Sequence, residues 1–277
     1  MQYCDKRLRN FLFASIAVIL VFSIVRISLV KSNVTLPSGS NPIYTVANNA
    51  STQTFSIAAI VILCVFAAFA FFGMKKSCSG CVSYDDSPTI FFSALIGFMG
   101  TATAILYVYN LMTKRLKIDL LDAAVVIAMV LISVYFFYTS SRAKKQGSGV
   151  YITLSFFPVI YSALRVMEIF IPARESAADS TVLFRLFGLA FMMLFFVSEL
   201  KAANGSINRK MTVFFGLSAI FLNFMYQVPD IALSAFWLLK FSINSIFTAV
   251  DMFISLYIFA RLFALVEIDD KTIMIND

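Results

Sequence analysis

Eight apolar stretches follow one another along this chain, each long enough to cross a bilayer and joined to the next by a short polar connection. They run roughly Phe11–Val30, Phe55–Phe72, Ile90–Met112, Leu121–Tyr138, Val150–Ile171, Thr181–Leu200, Met211–Gln227 and Ile246–Val266. A helix of about 20 residues spans the ~30 Å apolar core of a membrane. Strands of a membrane barrel would instead alternate over about 10 residues. The chain is 60% hydrophobic and only 13% charged, whereas soluble domains carry about 25% charged residues. The expected fold is all-α: a polytopic transmembrane helix bundle of about eight spans, with residues 1–277 forming a single integral membrane domain.

The first stretch follows Lys6, Arg7 and Arg9 and resembles a signal peptide only superficially. It is too long for the apolar part of one, and no clear cleavage site of small residues follows. It is read as the first span. With the N-terminus in the cytoplasm, the inner connections hold Lys6, Arg7, Arg9, Lys75, Lys76, Arg142, Lys144, Lys145, Lys201, Arg209, Lys210 and Lys271. The outer ones hold Lys31, Lys114, Arg115, Lys117, Arg174 and Lys240. The excess of basic residues on one side places both termini in the cytoplasm, in the cytoplasmic membrane if the chain is bacterial. The basic segment Thr113–Ile118 runs against this assignment. The net charge of +7 thus reflects topology and not nucleic-acid binding.

Lys31–Thr54 (residues 31–54) is rich in Ser, Asn, Thr and Pro and reads as an outer polar loop. It contains two glycosylation sequons, at Asn33 and Asn49. Near the other end, Ile231–Lys240, with the only tryptophan, Trp237, reads as a short interfacial helix after a seventh span that stops at Gln227. A re-entrant segment and a ninth crossing are the alternatives.

An internal repeat is one reading of the pattern. Phe22-Ser-Ile-Val-Arg26 in the first span parallels Tyr161-Ser-Ala-Leu-Arg165 in the fifth, and Thr89-Ile-Phe-Phe parallels Thr212-Val-Phe-Phe. Two tandem four-helix halves, 1–140 and 141–277, would then enter the membrane in the same orientation. Chance alignment of apolar helices is the competing reading.

The candidate site lies in the fifth span. Pro158, Tyr161, Arg165 and Glu168 step by three, four and three, so they share one helix face. Ionisable side chains inside a membrane are costly and face protein or a water-filled cavity. Arg26, Tyr161, Arg165 and Glu168 are therefore the candidate ligand-binding residues. Asp122, Asp230 and Asp251 are further acids within or at the edge of spans, and Arg261 lies in the last span. A partner for Arg26 was expected among Glu168, Asp230, Asp122 and Asp251. Two basic positions against one nearby acid suggest a small anionic or zwitterionic ligand. The structural alternative is an Arg–Glu pair joining helices, or an arginine reaching to the headgroups. Pro158 should kink its helix, because it cannot donate a backbone hydrogen bond. Asn223, Tyr226 and Gln227 read as polar contacts between helices.

Other chemistries find little support. The absence of histidine removes the usual general base and the commonest metal ligand. No metalloprotease, serine-hydrolase or nucleotide-binding motif is present. Cys4, Cys78 and Cys81 fall short of the four ligands of a structural zinc. No catalytic residue, metal or cofactor is assigned. With only ten glycines, close glycine-mediated helix packing is not expected. Two functions are consistent with these residues. One is a small-solute transporter or permease-like protein with an outward-facing polar site. The other is a non-enzymatic membrane sensor or accessory protein acting through partners. A cavity between spans one and five would mark the first; a tightly paired Arg165 in a packed interior would mark the second.

Overall fold

The computed structural model describes residues 3–35, 45–74, 87–114, 120–141, 149–171, 180–204, 208–235 and 243–274. Cys78, Cys81, Trp237, Lys240 and most of Thr113–Ile118 lie outside them.

The chain forms helices α1 (Tyr3–Asn33), α2 (Ala50–Ala68), α3 (Ser87–Lys114), α4 (Leu120–Ser140), α5 (Gly149–Leu154), α6 (Phe156–Phe170), α7 (Ser180–Ala203), α8 (Arg209–Ala235) and α9 (Ile243–Met274). α2 ends in a wider π-type turn, Phe69–Gly73. Eight crossings result, since α5 and α6 together make one span. An even number of crossings returns the chain to the face from which it started. Below, that side is the N-terminal face and the opposite side is the far face.

Sequence chemistry sets the ends and breaks of these helices. Pro158 has no N–H for the Leu154 carbonyl, and its ring crowds that turn. The helix breaks there, between α5 and α6 at Ser155, whose hydroxyl donates to the Tyr151 carbonyl at 2.8 Å. Pro229 behaves differently. α8 runs through it to Ala235, so the seventh span does not stop at Gln227, and residues 231–235 belong to this helix and not to a separate interfacial one. A proline is tolerated inside a membrane helix when neighbours satisfy the freed groups.

The ends of the 31–54 segment are ordered. α1 continues to Asn33, and Val34–Thr35 pairs antiparallel with Thr45–Val46. Asn49 caps α2: its side chain accepts from the Thr52 amide, while Thr52 Oγ1 accepts from the Asn49 amide. Asn49 Nδ2 also donates to Asn33 Oδ1 at 2.7 Å. Both sequon asparagines are thereby engaged in holding the two helices together.

Packing is uneven. Within their apolar windows α8 and the last span are 72% and 67% buried, against 28% and 22% for the first two spans. α8 is the central helix, packed against α7, α9, α1 and α2. α1 and α2 meet through phenylalanine rings, such as Phe22 with Phe55. α3 and α4 pair closely and lie against α9 and α6 respectively. The first four spans therefore do not assemble as a bundle of their own, and the packing lends no weight to two equal halves. The outward faces carry Ile24, Ile57 and Phe98, the apolar side chains a lipid environment favours.

Glycines do mediate close approach, contrary to expectation. A Cβ at Gly100 of α3 would come within 2.2 Å of Ser133 Oγ on α4. At Gly188 of α7 it would come within 2.3 Å of Asn223 Oδ1 on α8. The total number of glycines was small, but their placement at helix crossings is what matters.

Candidate functional site

The stripe on the fifth span points into the bundle. Pro158, Tyr161, Ser162 and Arg165 are all buried, and Arg165 has no exposed surface. Its guanidinium bonds the Glu168 carboxylate one turn on and donates through NH2 to Asp251 Oδ2 of α9 at 2.9 Å. Tyr161 Oη donates to the other oxygen, Asp251 Oδ1, at 2.7 Å. The Phe247 ring lies 4.9 Å from the guanidinium, adding a cation–π contact. Asp251 is thus held by two donors from the fifth span, and Arg165 lies between two carboxylates. Glu168 is the partly open member, with a side chain 15% exposed.

Arg26 is separate from this group. Its NH2 donates to Ser180 and Thr181 hydroxyls of α7, both at 3.0 Å, and Phe55 and Phe184 flank it at 5.5 and 5.2 Å. The partners described for it are these hydroxyls and rings. A further cluster continues toward the far face. Arg185 of α7 lies over Tyr226 at 5.5 Å and beside Asp230, whose carboxylate hydrogen-bonds the Thr248 side chain. Tyr226 is also within electrostatic reach of Asp251 and Arg165. Asp122 lies apart, in the first turn of α4.

The balance of charge changes accordingly. Arg165 and Arg185 meet Glu168, Asp230 and Asp251, so the far-face group is not a net positive vestibule. Three polar atoms here are buried without a hydrogen-bond partner among the described residues: Arg165 Nε, Arg185 Nε and Gln227 Oε1. A cleft of about 550 Å³ among the described residues lies away from this group. It lies between α1 and α2, lined by Phe22, Val25, Leu29, Phe55 and small residues of α2, and it is apolar.

A second ion pair lies near the N-terminal face. Arg261 of α9 donates to Glu199 Oε2 of α7 through Nε at 3.2 Å and NH2 at 3.1 Å. Both side chains are buried, at 0% and 4% exposure. The Tyr135 and Tyr151 rings lie 6.3 Å apart, and Tyr257 stacks on Phe196 at 6.4 Å. Between the two ends, Asn223 Nδ2 donates to Ser255 Oγ at 3.1 Å, and Ser255 Oγ donates to the Asp251 carbonyl at 3.0 Å. Asn223 Oδ1 is buried and unpartnered among the described residues. Asp251 and Ser255 share a face of α9, and Arg261 follows about 15 Å further along at ~1.5 Å per residue, turned about 80° from Asp251.

Both ion pairs join α9 to helices with which it shares few close backbone contacts; the Phe196–Tyr257 ring stack also lies between α7 and α9. The main contacts of α9 are with α8, α3 and α1, whereas α6 and α7 pack on each other. A seam therefore runs between α9 and the α6–α7 pair, bridged near each end by buried charge. Arg185 and Glu199 escaped the sequence reading. Assigning every basic residue to a connection would have left four arginines over, Arg26, Arg165, Arg185 and Arg261, and pointed to Arg185. Glu199 was hidden by its place near the end of an apolar run.

Among the described residues no group of three metal-binding side chains converges. Compared with known proteins, the chain matches no protein-family model, no curated protein and no solved structure.

Proposed function

We propose that this integral membrane protein is a small-solute transporter or permease-like protein whose polar site is the buried far-face group of Tyr161, Arg165, Glu168 and Asp251, extended by Arg185, Tyr226 and Asp230. The observation that carries this is the seam between α9 and α6–α7. Packed apolar interfaces open only at the cost of their contacts, but a seam bridged by ion pairs opens when a ligand supplies substitute charges. A zwitterionic solute fits best. Its carboxylate would take donors of Arg165 or Arg185, whose Nε atoms lack partners, and its ammonium would meet Asp251 or Glu168. With the basic connections on the cytoplasmic side, the far face is external and the site opens outward. Movement of α9 against α6–α7 would then replace the rocking of two sequence halves. The role is non-catalytic, since the acids near the site are held in ion pairs and hydrogen bonds that leave no free general base.

The competing reading is a non-enzymatic sensor or accessory protein. It is favoured by the complete burial of Arg165 in a tight pair. One experiment separates them. The melting temperature of the purified protein is measured against a panel of amino acids and betaines, in wild type and Arg165→Gln. A compound that raises the wild-type melting temperature, with the rise lost in a folded variant, supports the transport site. Lower yield of the variant with no compound effect in either protein removes it and favours the accessory role.

A further inference from the structure

The N-terminal-face pair Glu199–Arg261 has no part in the ligand site above, and its burial needs a reason. A buried ion pair is seldom more stable than well-packed apolar residues of similar volume. Where such a pair is kept, a registry or switching role is the best-attested use. Three features point to switching here. The pair crosses the same seam as Arg165–Asp251, from α9 to α7, where the helices share few close backbone contacts and the Phe196–Tyr257 ring stack. It sits about 15 Å further along α9 than Asp251, ten residues on. Ser255 and Asn223, with one unpartnered amide oxygen, lie between the two charged ends.

We propose that Glu199–Arg261 is the gate on the N-terminal face of the pathway, closing the seam below the Asn223–Ser255 pair as Arg165–Asp251 closes it above. This rests on the transport reading. In the structure both ends are bridged, so the region around Ser255 is shut from both faces. Opening one end leaves the other pair to keep the barrier, which is the requirement for passing a solute without a leak. A ligand carboxylate that competes for Arg261 would release the lower end alone.

The test uses the full chain with Cys4, Cys64, Cys78 and Cys81 replaced by serine and Ser255→Cys as the reporter. A membrane-impermeant maleimide is applied from each side of oriented proteoliposomes. The Glu199→Gln/Arg261→Gln double variant removes both charges of the pair together. Its labelling at position 255 from the N-terminal side should rise about tenfold over the parent, the change expected when a minor open state becomes well populated. Labelling from the far side should stay low. The swapped pair, Glu199→Arg/Arg261→Glu, should bring labelling back toward the parent level. The Arg165→Gln/Asp251→Asn variant should open position 255 from the far side instead. If the double variant is monodisperse and helical yet stays unlabelled while the far-side variant labels, the gate assignment fails and the transport reading survives. If neither labels, both fail. Equal labelling from both sides in every variant means general loosening and also overturns the gate.

Discussion

The two charged ends of the bundle are built differently. At the far end Arg165 is shared between Glu168 and Asp251, and Asp251 in turn accepts from both Arg165 and Tyr161. At the N-terminal end one carboxylate oxygen of Glu199 receives both described bonds from one guanidinium. The first is a network in which a partner can be exchanged while another holds. In the second, both described bonds join the same two side chains and are lost together. A ligand-exchanging site needs the former, and a two-state closure needs the latter. The difference also predicts how each end tolerates damage.

The largest effect should come from Asp251→Asn. It removes the carboxylate charge that both Arg165 and Tyr161 address, and breaking a buried pair on one side costs about 3–5 kcal/mol. Thermal unfolding in detergent should show a clear fall in melting temperature; an unchanged value would mean that the far-end network carries little of the fold.

Arg261→Gln and Glu199→Gln should each cost a similar ~3 kcal/mol or more, because each strands a buried charge. Their double variant should recover much of the loss. A double-mutant cycle measures this, and additive losses would show that the two side chains do not act as a pair.

Gly188→Ala probes what lies between the ends. Its Cβ would meet Asn223 Oδ1 at 2.3 Å, so overpacking of about 1–3 kcal/mol is expected, with displacement of Asn223 from Ser255. A neutral result would mean that α7 and α8 shift apart easily at that point.

Glu168→Gln should be the mildest. Arg165 keeps Asp251, and Glu168 is partly open, so the loss should be under about 1 kcal/mol. A loss as large as that of Asp251→Asn would erase the contrast between a shared network and a single pair.

Much of the molecule could be read from the chain itself. The bilayer admits few solutions for an apolar stretch: its backbone must satisfy its own hydrogen bonds, so it becomes a helix. Length and hydropathy then located all eight spans. The break before Pro158 followed from a missing N–H. The shared face of Tyr161, Arg165 and Glu168 followed from helical spacing, but the Arg165–Glu168 pair lies within one helix and it is Asp251 that joins helices. The same local reasoning failed at Pro229, where the helix continues because its neighbours, and not its own sequence, decide whether a proline ends it.

What the tertiary structure decided is which helices meet. Asp251 reaches Arg165 from 86 residues away, and Arg261 reaches Glu199 from 62 away; no periodicity within one span encodes either partner. Apolar helices of similar composition carry almost no signal for their neighbours, because lipid and protein offer them similar surroundings. The choice rests on a few details that sum over the whole bundle: glycines where helices cross, hydroxyls facing Arg26, and charges that must find their opposites once water is gone.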